Sequence, residues 1–126
     1  MKNNYFFTSE SVSEGHPDKV ADLVSDNVAN YLIDKKEMNR AAIETMVSSN
    51  MITIAGEAKS ELINNTDEIE SIVRETIKEI GYEQQNFHWN TLKLQNLIHN
   101  QSIDIARGTD NFGAGDQGMM FGYACN

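Results

Sequence analysis

The sequence has one cysteine, one proline, one tryptophan and few basic residues, and each shortage excludes something. With Cys125 alone, no internal disulfide can form, which fits a reducing compartment. Lysine and arginine number 10 against 19 acidic residues, a formal net charge of -9. Non-specific nucleic-acid binding depends on cations that neutralise phosphates, and an anionic membrane surface attracts the same cations. Neither nucleic acid nor membrane is therefore an expected partner. No apolar run approaches membrane-spanning length, and Met1-Lys2-Asn3-Asn4-Tyr5 lacks the apolar core of a secretory leader. The expected location is the cytoplasm. The three histidines and one cysteine show no zinc spacing, and there is no nucleophile elbow.

What is present is enough for one domain. The 126 residues are 40% hydrophobic and 23% charged, so a modest core is expected. Tyr5-Phe6-Phe7-Thr8 reads as a short β-type run before a polar loop, Ser9 to Gly15. The lone proline, Pro17, stands where a helix would start, with Asp18 at the positive end of its dipole. Val20, Val24, Val28 and Leu32 then recur every four residues, predicting an amphipathic helix from Pro17 to Lys35. Ala41 to Ser48 and Met51 to Glu57 alternate as two strands around a tight turn at Ser49-Asn50. Ile43, Thr45 and Val47 oppose Ala42, Glu44 and Met46, which leaves Glu44 a charge flanked by apolar residues.

A second helix is expected from Asn65 as cap to Gly81 as stop, with Ile69, Ile72, Val73, Ile77 and Ile80 as its apolar stripe. With no polar residue in that stripe, it reads as purely structural. Tyr82 to Asn90 reads as an irregular connection, and Thr91 to Ile98 as a strand. Residues 101–111 lose periodicity and read as a loop. Met119 to Ala124 would begin a last strand. The order β, α, β, β, α, β, loop, β predicts an α+β fold with two helices on one face of a largely antiparallel sheet.

Two polar stretches stand apart from this scaffold. One is Ser9-Glu10-Ser11-Val12-Ser13-Glu14-Gly15-His16-Pro17-Asp18-Lys19; the other is Gly113-Ala114-Gly115-Asp116-Gln117-Gly118. The second matches the dinucleotide fingerprint literally, but a polar loop precedes it and no helical pattern follows. Nor does a Gly-Lys-Ser/Thr follow, as a Walker loop would require. Glu10, Asp18, Glu44, Glu57 and Asp116 supply oxygen ligands, with His16, Lys19 and Gln101 beside them. Carboxylates suit Mg²⁺ and K⁺, and a helix N-terminus suits a phosphate chain. The set points to a magnesium-nucleotide site. Taken singly, each has a structural reading: Asp18 as a first-turn residue, His16 as a helix cap, Glu44 and Glu57 as solvent-facing strand charges, the glycines as a turn.

Taken together, the two stretches resemble those of the S-adenosylmethionine synthetases (methionine adenosyltransferases). The opening resembles that family's first residues from Phe7 to Lys19, and Gly113 to Ala124 resembles its first signature. Ile43-Glu44-Thr45, Gly56-Glu57, Arg74-Glu75, Ile80-Gly81-Tyr82 and Gln101-Ser102 match in order between them.

The resemblance implies a transferase that joins ATP to L-methionine and hydrolyses the displaced triphosphate, using Mg²⁺ and K⁺. It implies catalytic roles for His16, Lys19 and Asp116, with His16 against the ATP triphosphate. It implies Glu57 and Gln101 at methionine, Asp18 on Mg²⁺, Glu44 on K⁺, and Glu10 as a further metal candidate. It also implies a homo-oligomer with active sites between subunits and a gating loop over about 101–111. That loop is shorter here, and Ile103 stands where the family commonly has proline. The family's second, lysine-bearing glycine motif does not occur in the sequence. The chain therefore corresponds to the N-terminal part, with the central and C-terminal parts absent, and is expected to be inactive alone. The alternatives are a non-catalytic methionine- or metal-binding or regulatory fragment, or a truncated chain without function.

Overall fold

The computed structural model describes residues 6–33 and 39–101 and the single positions Met119, Gly122 and Ala124. Helix α1, Pro17–Ile33, forms on the expected spacing, and Val20, Val24, Val28 and Leu32 are its buried residues. Strands β1, Arg40–Ser48, and β2, Met51–Lys59, make an antiparallel hairpin in which Thr45 faces Ile54. Its two-residue turn needs a positive φ, which Asn50 adopts at 49°. A 3-10 turn, Glu61–Asn64, leads into helix α2, Thr66–Ile80. Gly81 stops α2 in the left-handed conformation, its N–H donating to the Ile77 and Lys78 carbonyls.

Two short strands follow, β3, Glu83–Gln84, and β4, Phe87–His88, before β5, Lys93–Asn100. Because α2 carries the chain back across the sheet, β5 joins β2 in parallel, giving the strand order β1-β2-β5. Among the described residues, two of the three strand pairings are antiparallel. The fold is α+β, with both helices on one face.

The register sorts the side chains. Ile52, Ile54 and Ala58 turn inward and join the valines of α1 and Ile69, Val73, Ile77 and Leu92 in one buried cluster. The other face carries Glu44, Met46, Thr53, Ala55, Glu57, Gln95, Leu97 and His99. No described element covers it; Met46 is 58% exposed and Leu97 51%. Glu44 is thus an exposed residue of an open face, which removes the oddity of its apolar neighbours in sequence.

Four expectations change. Phe6 to Thr8 form no strand, and Phe6 and Phe7 are exposed. Tyr82 to Asn90 is not wholly irregular: β3 and β4 pair, and Tyr82 packs edge-on to Phe87 at 4.8 Å. Asn65 holds the cap position of α2 without a capping bond; its amide instead donates to the Tyr31 hydroxyl at 3.1 Å. The stripe of α2 does contain a polar residue, Thr76, which is 2% exposed. Its hydroxyl donates to the Ile72 carbonyl at 2.8 Å and accepts from the Asn27 amide of α1 at 2.9 Å. The 101–111 loop beyond Gln101, the glycine stretch with Asp116, and most of Met119 to Ala124 lie outside the described residues.

Candidate functional site

The first group of predicted residues sits where α1 begins. His16 N–H donates to the Ser13 carbonyl at 3.0 Å, closing the turn before the helix. The Tyr82 hydroxyl donates to the Gly15 carbonyl, tying this loop to the end of α2. A Cβ on Gly15 would lie 3.0 Å from that hydroxyl oxygen, so glycine lets the two approach. His16 Nδ1 accepts the Asp18 backbone N–H at 3.1 Å, which makes the ring a side-chain cap. The same Nδ1 lies 3.9 Å from Asp18 Oδ2. It cannot accept an N–H and donate to a carboxylate at once, and the shorter contact decides. With Nδ1 accepting, the ring's donor is Nε2–H. The Asp18 side chain is 87% exposed at the positive end of the helix. Lys19 is exposed and borders an acidic groove with Glu14, Asp22, Asp26 and Glu79. Glu10 is exposed in the extended lead-in.

The second group sits on the open face of the sheet. Glu44 pairs with Ala55 and Glu57 with Ala42, so the two carboxylates are diagonal neighbours, roughly 7–8 Å apart at their backbones. Gly56 precedes Glu57 with φ 133°, and its Cα comes so close to β1 that an added Cβ would meet the Ala42 carbonyl oxygen at 2.0 Å. Glu57 Oε1 lies 3.4 Å from Nε2 of His99 on β5. Gln101 continues the ladder, its N–H donating to the Ala58 carbonyl at 3.0 Å. Its side-chain Oε1 is shut from solvent with no donor among the described residues.

The two groups do not meet in this chain. Helix α1 starts against Val47, Ser48 and Ser49, at the turn end of the hairpin. Glu57 and Gln101 lie toward the other end and on the opposite side of the sheet. Six residue steps of β1 run from Ser48 to Ala42, about 20 Å of strand. Among the described residues no three His, Cys, Asp or Glu side chains gather to hold a metal ion. The donors fit a cation shared with a ligand's oxygens: Mg²⁺ is held by one or two carboxylates plus phosphates rather than by an all-protein cage.

The chain is similar to known proteins over most of its length. Residues 4–103 match the family described as S-adenosylmethionine synthetase, N-terminal domain. The chain belongs to that family. An S-adenosylmethionine synthase from Paramagnetospirillum magneticum is 49% identical over 99% of this chain and 34% of its own length. One from Zymomonas mobilis is 51% identical over 98% of this chain and 33% of its own. The solved structure of an unusual S-adenosylmethionine synthetase from Campylobacter jejuni superposes with a TM-score of 0.64 at 28% identity, over 73% of this chain and 26% of that one. The chain thus spans about a third of the length of the curated relatives it matches.

Sequence reasoning missed His99. The only local signal was the alternation Gln95, Leu97, His99. That signal gains meaning only through the parallel register that sets His99 beside Glu57.

Proposed function

We propose that this chain supplies half of each active site of an enzyme that forms S-adenosylmethionine from ATP and L-methionine and hydrolyses the triphosphate. The observation that carries this is the opening motif on the first turn of α1. There the positive end of the helix dipole favours a polyphosphate. A His16 ring capped through Nδ1 offers Nε2–H to an oxygen of that chain, and such a fixed donor stabilises charge developing on a leaving triphosphate. Asp18 would hold Mg²⁺ together with the phosphates, and the metal would neutralise part of their charge. Lys19 and Asp116 act in the same machinery by resemblance, and Glu10 is a further oxygen donor.

On the open face, Glu57 accepts the methionine ammonium and Gln101 a second polar group of the amino acid. The Oε1 of Gln101, with no donor among the described residues, supports a ligand donor there. Glu44 would contribute one oxygen to K⁺. Because the two groups lie at opposite ends and sides of the domain, each pairs with the complementary group of another subunit. A homo-oligomer with sites between subunits follows; inactivity of the lone chain is expected on the separate ground that the family's lysine-bearing glycine motif does not occur in its sequence. The setting is cytoplasmic.

The test is a chimera in which this chain replaces the N-terminal third of the Zymomonas mobilis relative. S-adenosylmethionine formation is measured with Mg²⁺ and K⁺. The chimera is expected to turn over, His16→Ala to abolish turnover, and the 126-residue chain alone to show none. A folded but inactive chimera, or turnover by the chain alone, would overturn the half-site reading.

A further inference from the structure

His99 shares the open face with Glu57 and faces acceptors on both sides. Its Nε2 lies 3.4 Å from Glu57 Oε1, and its Nδ1 lies 3.4 Å from the Leu97 carbonyl. Carboxylates and carbonyls only accept, so both contacts become hydrogen bonds only when both ring nitrogens carry hydrogen. A neutral ring can donate to one of the two acceptors, an imidazolium to both. Glu57 is 28% exposed and His99 65%, so water and small solutes reach the pair.

We infer that His99 is a positioning residue for Glu57: when protonated it takes the carboxylate in competition with the ammonium group of an amino-acid ligand. This rests on the reading of Glu57 given above. The two cations would want the same carboxylate, and each repels the other. In a water-like medium, like charges about 4 Å apart weaken binding about sixfold.

The neighbouring charges do not imitate the effect. β2 contributes Glu57 and Lys59 to this face, and β1 contributes Glu44 and Arg40. The 3-10 turn after β2 carries Glu61, and β5 itself contributes Lys93. Carboxylates, lysine and arginine ordinarily keep one charge state between pH 5 and 8, whereas histidine changes its own there. His16 and His88 lie toward the turn end of the hairpin, away from Glu57.

Two readouts separate this from the reading it rests on, the first on this chain and the second on the chimera described above. With ¹³C-labelled glutamate, the Glu57 carboxyl resonance is expected to move between pH 8 and pH 5.5, and to stay still in His99→Gln. L-Methionine, titrated by NMR, is expected to bind about sixfold more weakly at pH 5.5 than at pH 8. It should bind equally at both in His99→Gln, and weakly at both in His99→Lys, which keeps a cation there at every pH. A Glu57 resonance that ignores pH, or a pH dependence that survives in His99→Gln, overturns the inference. A coupled resonance without methionine binding at either pH removes Glu57 as the ammonium site, and the competition with it.

Discussion

Replacing Gly56 by alanine tests how closely the strand before Glu57 is packed. At φ 133° the backbone occupies a region that residues with a Cβ enter only under strain of about 1–3 kcal/mol. The new Cβ would lie 2.0 Å from the Ala42 carbonyl oxygen and 3.3 Å from the Ile43 Cα. Both are backbone atoms, so β1 itself must move, at a further overpacking cost of about 1–3 kcal/mol. Alanine returns about 0.4–1 kcal/mol by restricting the unfolded chain. The expected net loss is about 3 kcal/mol, a large share of the roughly 5–15 kcal/mol of a domain. At this size each kcal/mol lowers the melting temperature by about 3–5 °C, so a fall of about 10 °C is expected. Gly81→Ala is the internal comparison. Its φ is 95° and nothing stands within 4 Å of the added Cβ, so only about 1–2 kcal/mol is lost. Urea unfolding followed by circular dichroism reads both. Equal losses in the two variants would refute the argument that contact with β1, and not φ alone, holds position 56 to glycine.

Thr76→Val keeps shape but strands the Asn27 amide between the helices, and urea unfolding should show a loss of about 1–2 kcal/mol. Adding Asn27→Leu should recover part of it, because no buried donor is then left over. Tyr82→Phe removes the donor to the Gly15 carbonyl and should cost about 1 kcal/mol. Hydrogen exchange should quicken at His16 while the interior of α1 stays protected.

What was legible in the sequence was local. Valines four apart in α1 and the alternation of Ile52 and Ile54 in β2 report burial directly, because each period belongs to one element. The role of Thr76 was not legible, since its partner Asn27 lies 49 residues away on another helix. Strands of two residues, such as Glu83–Gln84, have no period to read. The parallel direction of β5 depends on where α2 sends the chain. For the site, His16 to Lys19 could be read as a helix start that suits an anion. Glu57 and Gln101 gained meaning only from resemblance, and no pattern in one chain reveals that the two groups face apart.

Asn50 joins the nearest neighbours in the sheet to the most distant. Its carbonyl accepts the Lys93 N–H at 2.8 Å, its side-chain oxygen accepts from His88 N–H, and its amide donates to the Thr91 carbonyl. The hairpin can form early from neighbouring residues, and its turn then presents a ready template on which β5 must seat. Were β5 to seat one residue out, Leu94 and Ile98 would swing to the open side and His99 away from Glu57. A small side chain about 20 Å from Glu57, at the far end of the strand, thus fixes the alignment of the groups around it. Variation at position 50 would therefore be felt in how β5 seats beside Glu57.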